Sequence, residues 1–279
     1  MKYIFWGSPK FAEIVLKKLI DSDFPPIAIV CNPDKPVGRK KVITPPLTKI
    51  LGKENQIEVF QPEKIDNVFF EKIKNINADF FIVAAYAKII PQTIIDLPPM
   101  GVIGVHPSLL PQYRGASPIQ SVLLNNEKES GVCLYKIDEK MDHGPILTYQ
   151  KIEIRKEQNY IGLEEELAIL AGNMLVEILP SFIKNKTNTT EQDHKNATFT
   201  KKFITEDGFV DLDKDNSNII FRKIKALNPD PGVYTFINSK RVKLIEATDK
   251  ENEVIINKII PEGRKEQLAN IILKKKREY

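Results

Sequence analysis

The chain is poor in the residues that hold metals and cross-links. Its 279 residues include two cysteines, three histidines and one tryptophan. Cys31 and Cys133 each lie inside an apolar run. That placement fits two buried free thiols in a reducing compartment better than a disulfide. No His and Cys positions have metal-ligand spacing, so no metal is expected. Long hydrophobic runs are missing too. No stretch approaches the ~20 apolar residues of a membrane span. Met1 to Gly7 lacks the longer apolar core and cleavage site of a signal peptide. These absences point to a cytoplasmic protein with no membrane contact. Gly7 stands alone, without the glycine spacing of a dinucleotide turn, so no NAD is expected.

Charge of one sign is in excess only at one end. From Thr200 to Tyr279, Lys and Arg outnumber Asp and Glu by 17 to 13, which leaves the first 199 residues balanced at 24 and 24. The asymmetry fits an anionic partner for the C-terminal part, or simply a solvated lysine-rich face.

The first half alternates strands and helices. Tyr3–Trp6, Ile27–Cys31, Ile57–Phe60, Phe80–Ala85, Val102–His106, Val132–Ile137 and Ile146–Ile154 read as strands. Ser8 offers an N-cap and Pro9 a first helical position for a helix carrying Phe11, Val15 and Leu19. Ile65 to Ile76 marks a second helix, and residues 32–41 read as a loop. The rhythm predicts an α/β fold with a mostly parallel, doubly wound sheet. Tyr160–Ile183 is a long helix, and residues 185–203 read as a polar linker. The expected domains are 1–184 and 204–279. In the second, Ile219–Ala226 and Gln267–Lys276 read as helices and three segments as strands.

The densest functional signal lies in two loops that follow strands. One runs from His106 to Pro118, the other from Asp138 to Leu147, and together they hold two of the three histidines. Ligands in open α/β sheets bind beyond the carboxyl ends of strands. Residue types alone propose a His/Asp pair in a cleft, His106 with Asp142. A single histidine after a strand is more often a satisfied core residue.

The wording of these loops is more specific. His106-Pro107-Ser108-Leu109-Leu110-Pro111, followed by Tyr113-Arg114-Gly115 and Pro118, resembles the folate-dependent formyltransferase family. So does Asp138-Glu139-x-x-Asp142-x-Gly144. Phe5 to Ala12, Pro33 to Lys41, Leu227-Asn228-Pro229 and Pro261 to Lys265 resemble the branch that acts on methionyl-tRNA. The resemblance covers nearly the whole chain. It implies a Rossmann-like catalytic domain, a C-terminal OB-like domain, and 10-formyltetrahydrofolate as donor. Ser108, Leu109, Leu110 and Pro111 match the folate-contacting motif. Tyr86, Ile89, Ile90, Pro91, Asp138, Lys140 and Met141 would line the pterin pocket. Arg39, Lys40, Lys41 and Arg114 would meet the initiator methionyl-tRNA, with the chain acting as a monomer.

The implied chemistry follows from charge. A neutral α-amino group, pKa about 7.7–8.0, attacks the formyl carbon. His106 would donate to the developing oxyanion, and Asp142 would orient it and help take the proton. Two departures stand out. The family has Asn two residues before the histidine, and this chain has Gly104. Three outcomes fit that glycine: His143 or a water fills the room it leaves, the enzyme is slow, or the chain binds without turnover. The C-terminal part offers only three strands where a full OB barrel has five. Two other functions share these residues: formylation of an amino-sugar nucleotide, and folate or tRNA binding without turnover.

Overall fold

The structure, a computed structural model, describes residues 2–38 and 40–275. Strands are β1 (Tyr3–Trp6), β2 (Ala28–Val30), β3 (Lys35–Val37), β4 (Val42–Thr44), β5 (Glu58–Phe60), β6 (Phe80–Ala84), β7 (Val102–His106), β8 (Arg114–Gly115), β9 (Glu129–Lys136) and β10 (Ile146–Glu153). These are followed by β11 (Phe199–Thr200), β12 (Val233–Ile237), β13 (Lys240–Asp249), β14 (Glu253–Pro261) and β15 (Gln267–Lys274). Helices are α1 (Lys10–Asp21), α2 (Leu47–Glu54), α3 (Asn67–Ile76), α4 (Gln92–Ile95), α5 (Pro118–Leu124), α6 (Tyr160–Ile183) and α7 (Ser217–Leu227).

Seven strands form one sheet in the order β10-β9-β7-β6-β1-β2-β5. β1 runs parallel to both β2 and β6, and β6 is parallel to β7. The turn of direction comes at β9, which is antiparallel to β7. This is the doubly wound arrangement read from the sequence. Tyr3, Ile4, Phe5 and Trp6 are all fully buried, as a central strand covered on both faces requires. Ile4 and Trp6 pack with Phe69 and Ile73 of α3 on one face. On the other, Tyr3 stacks on Phe80, and Phe80 meets Phe182 of α6 edge-on. Strand order reverses beside β1, so Gly7 and Ala85, which follow β1 and β6, and His106, which ends β7, lie at the carboxyl ends of neighbouring strands at the switch point.

Several local expectations are corrected. Ser8 does not cap α1: the N-cap is Pro9, and the Ser8 hydroxyl accepts from the Asn32 N–H instead. Residues 32–41 are not only a loop, because β3 and β4 pair as an antiparallel hairpin. Helix α2 had no clear sequence signal; its eight residues bury only Thr48 and Gly52. By length and composition α6 is apolar enough to cross a membrane, with a window of mean hydropathy 1.5. Its stripe of Leu163, Leu167, Ala171, Met174 and Leu175 is nevertheless buried within the protein.

The chain forms two compact units, and both are discontinuous. The first takes residues up to Arg114 with Gly131–Lys151 and Glu164–Thr198; the second takes Gly115–Ser130, Ile152–Leu163 and the chain from Phe199 onward. Helix α5 therefore belongs with α7, where the Arg222 guanidinium donates to the Leu124 carbonyl. In the second unit β12, β13, β14 and β15 make a four-stranded antiparallel meander. The segment Gln267–Lys276, expected as a helix, is strand β15 up to Lys274, and Lys276 lies outside the described residues. α7 covers the meander with buried Ile220, Phe221, Ile224 and Leu227.

Candidate active site

His106 is the last residue of β7 and is only 5% exposed. Its Nε2 lies 2.9 Å from the Tyr113 carbonyl oxygen. A carbonyl can only accept, so Nε2 carries the hydrogen. In a neutral ring Nδ1 is then an acceptor, and it faces Asp142 Oδ2 at 3.6 Å. The sequence pairing of His106 with Asp142 is therefore met in space. Asp142 Oδ1 accepts from the Tyr135 hydroxyl at 2.7 Å. Burial, then the Asp142 charge, pushes Tyr135 well above the usual phenol range, which keeps the hydroxyl a donor.

The loops around this pair are conformationally unusual. Ala85, Tyr113 and Asp142 all have positive φ, at 50°, 59° and 49°. These backbone conformations are costly for residues other than glycine and persist only where surroundings impose them. One imposing group is Gln192, which is 5% exposed. Its amide nitrogen donates to the Asp142 carbonyl at 3.0 Å and to the Gly144 carbonyl at 2.7 Å. Its amide oxygen accepts from the Arg114 guanidinium. Gly144 must be glycine, because a Cβ there would lie 1.8 Å from the Lys136 carbonyl oxygen.

Gln192 sits in the segment 185–203 that reads as a linker. Up to Thr198 that segment is instead fastened to the first unit: Thr190 and Ile146 exchange backbone hydrogen bonds, and Thr198 Oγ1 accepts from the Tyr113 N–H. A polar run gave no signal for this, because it is held by backbone hydrogen bonds and by the buried Gln192 amide and not by apolar contact.

Two expected roles change. Arg114, expected at the RNA surface, is 3% exposed and spends its guanidinium on Gln192 and on His194 Nδ1 at 2.9 Å. Gly104 leaves no room. A Cβ there would lie 2.4 and 2.5 Å from Tyr135 Cε1 and Cζ, so the tyrosine ring fills the space expected for His143 or a water. His143 Nδ1 lies 2.7 Å from Asp138 Oδ2, and its ring stacks on His194 at 4.0 Å.

The residues expected to hold the donor divide into two groups. Ile89 is 93% exposed and Met141 is exposed, while Tyr86, Ile90, Pro91 and Asp138 are half-buried. The Tyr86 hydroxyl and the Trp6 indole nitrogen are buried without a hydrogen-bond partner, and the two rings meet edge-on. Such orphaned polar atoms suit a ligand with a polar edge. Lys140 is exposed, and its N–H donates to Asp138 Oδ1. Ser108 and Leu110 face inward: the Ser108 hydroxyl donates to the Gln112 carbonyl, and Leu110 packs with Cys133 and Tyr135. Leu109 and Pro111 are half-buried beside them. Lys40 and Lys41 are exposed on the turn between β3 and β4, and Arg39 lies outside the described residues. No group of His, Cys, Asp and Glu that could hold a metal occurs among the described residues.

Comparison with known proteins fits this arrangement. Residues 1–179 match the formyl transferase family, and residues 202–276 match its C-terminal domain. A methionyl-tRNA formyltransferase of Kosmotoga olearia is 41% identical over 88% of this chain and 79% of its own length. One from Dictyoglomus thermophilum is 39% identical over 96% of this chain and 88% of its own. Among solved structures, a methionyl-tRNA formyltransferase from Clostridium thermocellum superposes with a TM-score of 0.61 at 17% identity, covering 97% of this chain and all of that one. The chain belongs to the formyl transferase family.

Proposed function

We propose that this protein transfers a formyl group from 10-formyltetrahydrofolate to the amino group of methionine on initiator tRNA. The observation that carries this reading is the similarity, along nearly the whole chain, to methionyl-tRNA formyltransferases. A cytoplasmic monomer fits that role. Residues 1–184 would carry the transfer and residues 204–279 would meet the RNA.

His106 and Asp142 act as a proton-handling pair. Nδ1 and Asp142 Oδ2 lie 3.6 Å apart. An incoming amine that meets Nδ1 therefore meets the carboxylate as well. As its nitrogen bonds to the formyl carbon, the proton passes to Nδ1, beside the carboxylate that stabilises the resulting charge. His106 then returns the proton to the folate nitrogen as the old C–N bond breaks. Nε2 stays on the Tyr113 carbonyl, so the ring does not have to turn. Tyr86, Ile89, Ile90, Pro91, Leu109, Pro111 and Met141 form the donor's apolar bed, and Asp138 with Lys140 supplies polar contacts. Exposed Lys40 and Lys41 meet phosphates of the acceptor.

The test is formyl transfer with purified protein, comparing methionyl-tRNA and amino-sugar nucleotides as acceptors. Formylation of methionyl-tRNA at much the higher kcat/KM is expected. Preference for the sugar nucleotide, or no transfer to either, would reject the reading.

A further inference from the structure

Gly104 and Tyr135 are direct cross-strand partners on β7 and β9, and His106 pairs with Cys133 one step along the same face. Cross-strand partners project to the same side of a sheet. The Tyr135 side chain therefore lies over Gly104. The contact is close: any Cβ at 104 would overlap two ring carbons and lie 2.9 Å from Ile137 Cγ1. The ring is buried and Ile137 is half-buried against it, so neither is the flexible end of a surface side chain. The ring cannot step aside cheaply.

What the ring carries makes this more than packing. Its hydroxyl donates to one oxygen of Asp142, and the other oxygen of that carboxylate faces His106. The carboxylate sits on a side chain with two rotatable bonds, so its direction depends on the contacts it makes. A charge-assisted hydrogen bond from a rigid aromatic arm is one such contact.

We propose that Tyr135 is a positioning residue of the site, holding one oxygen of Asp142 so that the other addresses His106, and that glycine at 104 is what lets the ring take that place. Its kinetic part rests on the formyl-transfer reading; its structural part does not.

Tyr135→Phe keeps the ring and removes only the hydroxyl. Its kcat for formyl transfer should fall about tenfold, the rate equivalent of one hydrogen bond to a charged group. KM for folate and acceptor should stay near the parent value, because the hydroxyl touches neither. The second measurement needs no activity. On thermal unfolding, Tyr135→Phe should lower Tm by about 2–4 °C in the parent. In an Asp142→Ala background it should be neutral or raise Tm, because the hydroxyl there is buried without its acceptor. Gly104→Ala should destabilise the parent strongly and a Tyr135→Ala variant little. Equal effects of Tyr135→Phe in both backgrounds, or a Gly104→Ala protein as stable as the parent, would overturn the proposal. So would a Tyr135→Phe enzyme with parental kcat. A parent that transfers no formyl group counts against the functional reading and leaves the two stability comparisons to decide this one.

Discussion

Two basic regions read alike in sequence and differ in structure. Lys40 and Lys41 stand exposed on the β3–β4 turn, while Arg114 is buried against Gln192 and His194. A cation's sign says that it needs a partner. Only its surroundings say whether that partner is inside the protein or outside it. An exposed lysine is free to act on a polyanion through its field, and neighbours share the effect. A buried guanidinium holds specified atoms, and deleting it leaves them stranded. The interior set also reaches the candidate site: Arg114 holds Gln192, and Gln192 holds the Asp142 and Gly144 carbonyls.

The sharpest division should appear at the end of the interior set. His106→Ala should lower kcat by about 10²–10⁴, the usual worth of a positioned acid–base group, without a matching loss of Tm. An His106→Ala protein with near-parental kcat would remove the pair from the mechanism. Arg114→Ala comes next. It should cost about 1–3 kcal/mol of stability by leaving Gln192 and His194 without their buried donor, read by denaturant unfolding. Its effect on kcat should exceed its effect on tRNA affinity. The reverse ranking would return Arg114 to the RNA surface. Replacing Lys40 and Lys41 together by alanine should leave Tm unchanged and weaken tRNA binding. If both neutralise duplex phosphates, the slope of log affinity against log salt should shrink by about 0.9 for each. An unchanged slope would break the comparison on its exposed side.

The smallest effect concerns the two thiols. Burial raises Cys133 to about 12 and Cys31 to about 11 from a usual value of 9.0. Both should resist a thiolate-directed reagent at pH 8 until the protein is unfolded. The folded values are the raised ones, so the folded state binds more protons above pH 9. Their contribution to stability is complete below that pH and is lost as pH rises towards 11 and 12. Rapid native labelling at pH 8 would show that the sites are open.

Most of the first unit was legible because its strands are continuous apolar runs and its helices carry one stripe. Tyr3–Trp6 and Phe80–Ala84 leave little choice. β15 was not, because Leu268, Ile271 and Ile272 also satisfy a helical spacing. Its burial alternates from residue to residue, which only the neighbouring strand imposes. The His106–Asp142 pair was legible from motif wording, since residue types alone propose it weakly. Gln192 was hidden because a buried amide in a polar run looks like any solvated one. Tyr135 was hidden for a different reason: it appears as one more apolar strand residue until its partner across the ladder is known to be glycine.

That partnership constrains how the site can change by single substitutions. With the ring in place, any side chain at 104 collides with it. A larger residue can enter at 104 only after 135 has become smaller. Such a first step gives up the hydroxyl on Asp142 before anything replaces it. If Tyr135 positions Asp142 as proposed, the intermediate between this arrangement and one with a side chain at 104 is the less active form. The order of mutation across the barrier is fixed: tyrosine must go first.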